Sequence, residues 1–117
     1  MKKIIIGNWK MNPKTPLDAK RLADKIGHGA KTFKNVDVVL APPFLHIPLI
    51  FKKGVKICAQ DVFYEKSGAF TGEVSAGMLK DIYCRYVILG HSERRTYFKE
   101  TDETVNKKVK TALAANL

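Results

Sequence analysis

Three of the chain's apolar stretches run on without polar interruption, and this constrains the fold more than any other feature. Ile4-Ile5-Ile6, Val38-Val39-Leu40 and Val87-Ile88-Leu89 lack the alternation of a strand that is wet on one face. Such runs suit parallel strands covered on both sides. The strands are expected at Lys3–Gly7, Val36–Ala41, Val55–Gln60 and Tyr86–Gly90. Pro42-Pro43 closes the second, since proline cannot continue a ladder.

Helical patterns separate the strands. Thr15 is placed as an N-cap with Pro16 at the first helical position and Asp18 in the first turn. That helix runs to about Gly27 or Gly29 and sets Leu22, Ala23, Ile26 and Ala30 on one face. A short apolar helix is expected over Phe44–Phe51, weakened by Pro48. The last helix begins at Thr101 or Asp102 and carries Val105, Val109 and Leu113 at steps of four. Between them, Val62–Ala76 shows no period. A loop of that length is usually functional or part of an interface, and Phe63, Tyr64 and Phe70 are apolar enough to dock against something.

At 117 residues the chain forms a single domain, 1–117, built of four βα units with right-handed crossovers. An open doubly wound sheet and part of a (β/α) barrel both satisfy this order. Neither G-x-G-x-x-G nor a Walker A sequence occurs, which removes support for nucleotide-binding relatives.

The net charge of +10 points first to anionic partners, but the 21 Lys and Arg residues are dispersed, without a long basic run. We therefore expect neither nucleic acid nor membrane as partner. The N-terminus is basic then apolar, but Gly7-Asn8-Trp9-Lys10 interrupts the run too soon for a signal peptide. Cys58 and Cys84 sit among apolar residues without a CxxC or a histidine cluster. They read as buried free thiols in a reducing cytoplasm, and no metal site is expected.

In either architecture, function collects at the carboxyl ends of the strands. Asn8 and Lys10 follow the first strand, Gln60 and Asp61 the third, and His91, Ser92 and Glu93 the fourth. In "YVILGHSERRTY" a histidine stands just before the expected N-cap, Ser92, with Arg94 and Arg95 behind it. The helix start, Lys10 and the arginines all disfavour a protonated ring, so His91 is expected to be neutral near pH 7. A neutral imidazole can donate to a carbonyl oxygen and pass a proton between neighbouring oxygens, as enolisation of a sugar-like substrate requires. Lys10 would attract an anionic substrate and Asn8 would position it.

Four motifs, "GNWKMN", "APPF", "GAFTGEVS" and "YVILGHSERR", taken in order and spacing, resemble the triosephosphate isomerase family over the whole chain. The resemblance implies a (β/α)8 TIM barrel, of which this span is an N-terminal half with four parallel strands. It implies cofactor-free interconversion of dihydroxyacetone phosphate and glyceraldehyde 3-phosphate, with the neutral histidine and glutamate base for which that family is known. Asn8 and Lys10 then match substrate-binding residues, and Lys10, His91 and Glu93 the catalytic group. The Val62–Ala76 loop matches a homodimer loop, with Phe70, Thr71, Gly72 and Met11 at the interface. Asp61 departs from the family's usual asparagine and is expected to change local charge outside the reacting pair. The glutamate base, lid and phosphate loops belong to a C-terminal half that would be this span's partner. Alone, the span is expected to be inactive, and the alternative is a non-catalytic assembly or folding module.

Overall fold

The computed structural model describes residues 1–50 and 54–117. Its elements are β1 Lys3–Asn8, α1 Pro16–Ala30, β2 Val36–Ala41, a 3-10 turn Phe44–His46, α2 Ile47–Ile50, β3 Lys56–Ala59, α3 Ala76–Asp81, β4 Cys84–Val87, α4 Ser92–Tyr97 and α5 Asp102–Ala114. The four strands form one sheet in the order β1-β2-β3-β4, and every pairing is parallel. Helical segments connect successive strands, which makes this the α/β architecture that the continuous apolar runs implied. The expected end of the short helix at Phe51 lies outside the described residues.

Register assigns the two faces, because paired residues in a parallel sheet share a side. Leu40 and Ile57 are partners, and with Ala59 and Cys84 they enter the main core against Ala23, Ile47, Ile50 and Leu79. Val39, Ala41 and Cys58 lie in a second, smaller cluster with Tyr86 and Ile88. Asn8 pairs with Ala41 and so projects on this second side. Ile4, Ile5 and Ile6 are 51%, 59% and 45% exposed, although they stand in the middle of β1.

Four expectations change. First, α1 buries Ala19, Ala23 and Gly27, while Leu22 is exposed. The small side chains let α1 approach the turn at Gly54, where an added Cβ would stand 3.7 Å from the Gly27 carbonyl oxygen. Second, α5 buries Lys108 and Ala112, and Val109 and Leu113 are exposed. Third, β4 begins at Cys84, two residues before the expected start, and the ladder is irregular at Ile57/Cys58. Fourth, α3 was not anticipated. Its six residues are too few for a readable helical period, and it starts where Ser75 accepts the Met78 amide at 3.2 Å.

The loop over residues 62–76 closes on itself. Phe63 donates its amide to the Val74 carbonyl at 2.9 Å, and its ring lies 4.3 Å from Tyr64 and 4.7 Å from Phe70. Thr111 of α5 donates to the Tyr64 carbonyl at 2.9 Å, which anchors the base of the loop.

Candidate active site

The turn after β4 is tight. Gly90 has φ of +64°, and an added Cβ would stand 3.1 Å from both Val105 Cγ1 and Arg95 Nη2. Glycine is therefore required both for its backbone conformation and for space. This turn delivers His91 to the start of α4, where it takes the N-cap position expected of Ser92. Its Nδ1 accepts the Glu93 amide at 3.1 Å. An imidazole that accepts at Nδ1 carries its proton on Nε2, so the cap also sets the tautomer.

The first strand supplies the cation. Lys10 adopts a left-handed conformation with φ of +58°. Its amide donates to Asn8 Oδ1 at 2.9 Å, and its carbonyl accepts from Gln60 Nε2 at 2.8 Å. The same Gln60 nitrogen donates to the Ala41 carbonyl at 2.8 Å, so one amide joins the ends of β1 and β2. Lys10 Nζ forms a short ion pair with Glu93 Oε1, and Glu93 Oε2 lies 3.7 Å from His91 Nδ1. The hydrogen bond from Lys10 holds the Glu93 carboxyl below the usual carboxylate range.

Asp61 is in a different situation. It is buried, and both oxygens face Lys108 Nζ, at 2.8 and 3.1 Å. Arg94 Nε lies 3.1 Å from Asp61 and 3.4 Å from Glu100, while Lys108 Nζ lies 2.6 Å from Glu100. Two acids and two bases thus alternate around a closed ring in which each cation meets both anions. Arg95, for its part, donates to the Gly90 carbonyl at 3.0 Å and to Asp102 at 2.7 Å. Both guanidinium charges behind His91 are therefore compensated by acids, contrary to the sequence reading that set them against the ring.

Asn8, Lys10, Met11, Gln60, His91 and Glu93 border one cleft of about 530 Å³. Phe44, Tyr97 and Phe98 give it an apolar wall, which sequence reasoning missed because aromatic residues in short helices read as core. Gln60 was visible as a polar residue at a strand end, but its bond to a backbone carbonyl 50 residues away had no sequence signal. Phe70, Thr71 and Gly72 are exposed on the closed loop and do not border this cleft. Met11 is 93% exposed at its rim.

The thiols are not nucleophiles. Burial pushes Cys58 up to about 12 and Cys84 up to about 11. Among the described residues no group of three metal-ligating side chains occurs, and no helix is long and apolar enough to cross a membrane.

Sequential parallel strands with a polar cleft at their carboxyl ends are the hallmark of the (β/α)-barrel enzyme class. A family model described as triosephosphate isomerase matches residues 3–117. Proteins named triosephosphate isomerase are similar throughout: that of Chloroherpeton thalassium is 52% identical, with 99% of this chain and 48% of that protein covered. Those of Trichlorobacter lovleyi and Clostridium botulinum (strain Loch Maree) are 50% and 48% identical, each with 97% of this chain and 47% of the relative covered. The chain belongs to the triosephosphate isomerase family, and it spans about half the length of the curated relatives it matches.

Proposed function

We propose that this chain supplies the electrophilic side of a triosephosphate isomerase active site, acting on a small phosphorylated triose without cofactor. The supporting observation is the capped imidazole. With Nδ1 committed to the Glu93 amide, Nε2–H is the group left to donate into the cleft that Asn8 and Lys10 border. When a base removes the proton next to the substrate carbonyl, negative charge moves to the carbonyl oxygen. A donor fixed in advance at that oxygen stabilises the enediolate. Lys10 attracts the anionic substrate, Asn8 positions it, and Glu93 holds the Lys10 ammonium in place.

The base itself has no candidate among the described residues bordering the cleft. Glu93 is paired with Lys10, and Asp61 is enclosed by Lys108 and Arg94. The span alone is accordingly expected to be inactive, since the loss of a general base costs on the order of 10²–10⁴ in rate. Its partner in this reading is the C-terminal half of a barrel, and the cytoplasm, where its thiols stay reduced, is the compartment. Phe70, Thr71, Gly72 and Met11, all exposed, are proposed to meet a second subunit through the 62–76 loop.

Complementation tests the proposal. The chain mixed with the C-terminal half of a relative should restore turnover of dihydroxyacetone phosphate in a coupled assay, and His91→Asn should abolish it. Turnover by the chain alone at an ordinary rate, or full activity of H91N, would overturn the reading.

The exposed isoleucines of β1 favour one further reading, a non-catalytic assembly module that buries this strand against a partner. Complementation separates the two, since only a competent half restores activity, and light scattering on the purified chain tests the assembly module directly. A stable monomer at high concentration rules out the assembly module.

A further inference from the structure

We propose that Asp61 is a positioning residue: through Arg94 and Lys108 it sets where the His91-capped start of α4 stands relative to Lys10. The proposal rests on the reading of His91 above for its importance, although the geometry it concerns is independent of any substrate.

Asp61 immediately follows Gln60, and the two neighbours hold opposite walls of the cleft. Gln60 binds the Lys10 carbonyl at 2.8 Å. Asp61 forms an ion pair with Arg94, whose Nε lies 3.1 Å from Oδ2, and Arg94 lies within the first turn of α4. Arg94 is tied to the histidine through the backbone, because its amide and that of Arg95 donate to the His91 carbonyl at 2.9 and 3.1 Å. A movement of Arg94 is therefore transmitted to the cap. The segment after β3 thus works as a ruler between the ammonium and the imidazole.

Charge shows what an acid does in this chain, where the family usually has asparagine. Asp61, Glu100 and Lys108 have side chains 9%, 3% and 5% exposed, and with Arg94 the ring sums to zero. Without the Asp61 charge, two cations share Glu100 alone. The ring then carries a buried excess of +1, and Arg94 is drawn toward the remaining acid. Breaking one member of such a group is costly, whereas removing a matched pair often is not.

That asymmetry separates positioning from stability. In the 117-residue chain, Asp61→Asn should lower the thermal midpoint by more than about 10 °C. The double variant D61N/K108M leaves Arg94 paired with Glu100 and should recover most of that loss. If Asp61 positions α4, the Glu93 amide in the stable double variant should still exchange with solvent about tenfold faster than in the parent, the loss of one hydrogen bond. The His91 Nδ1 resonance should also lose the signature of an accepted bond. A folded double variant with parental Glu93 exchange and a parental His91 spectrum would overturn the proposal, as would a double variant that does not fold. Failed complementation by the parent chain, alongside faster Glu93 exchange in the double variant, counts against the isomerase reading and leaves this one standing.

Discussion

The side-chain amide of Gln60 donates to the main-chain carbonyl of Lys10 across 2.8 Å and 50 residues of sequence. The bond fastens a lysine whose backbone sits in the left-handed region, which is disfavoured for a residue with a Cβ. The site's ammonium is thus held at its backbone from β3 and at its tip from α4. Gln60→Ala removes this bond and the one to Ala41. The chain should lose about 1–3 kcal/mol of stability in urea unfolding, and Lys10 amide exchange should rise together with that of Trp9.

Glu93 offers a pH test. Its folded carboxyl lies below the ordinary range because Lys10 donates to it, so the ion pair stabilises the fold above the unfolded carboxylate's midpoint. That contribution disappears as pH falls through the lower folded midpoint. In a carbon-13 titration, Lys10→Met should raise the Glu93 midpoint toward the ordinary value. An unchanged midpoint would mean that the ion pair does not form in solution.

Gly90→Ala combines two penalties, a positive φ and a methyl group pressed against Val105 and Arg95. Denaturant curves should show a loss of about 2–4 kcal/mol. Gly72→Ala has only the first, since nothing stands within 4 Å of its added Cβ. It should cost less than Gly90→Ala under the same conditions.

The two cysteines predict alkaline behaviour. Both folded thiols titrate above their unfolded values, Cys58 at about 12 and Cys84 at about 11. Their contribution to stability is therefore complete below the unfolded thiol midpoint and is lost as pH climbs through the folded ones. Urea midpoints should hold up to about pH 8.5 and decline above it. A disulfide-exchange reagent should label neither thiol in the folded chain at pH 8, and both after unfolding.

Much of this architecture was readable in the sequence, for reasons that differ between elements. β2 falls on Val36–Ala41 as expected because Pro42-Pro43 gives it a chemical stop. The start of α1 was legible from Thr15, Pro16 and Asp18, whose hydrogen bonds are local. β4 was placed two residues late because Arg85 and the left-handed Tyr83 obscure its entry, and only pairing with β3 reveals it. At α5 the regular apolar series was only partly a guide, since Val105 packs at the Gly90 turn while Val109 and Leu113 are exposed. Lys108 is buried because acids from two distant segments meet it, and no pattern within one helix encodes that. The cleft follows the same division: residue types at the strand ends announced Asn8, Lys10 and His91. The capping role of the imidazole needed three dimensions.

The ring of four charges behind the cleft has a consequence for heat. Holding ions away from water becomes less costly on warming, because their hydration is increasingly opposed by entropy. The enclosed ring gains from this, while the half-exposed Lys10–Glu93 pair gains little. Rising temperature should thus slacken the ammonium first and leave the imidazole anchored, so the two walls of the cleft melt in sequence.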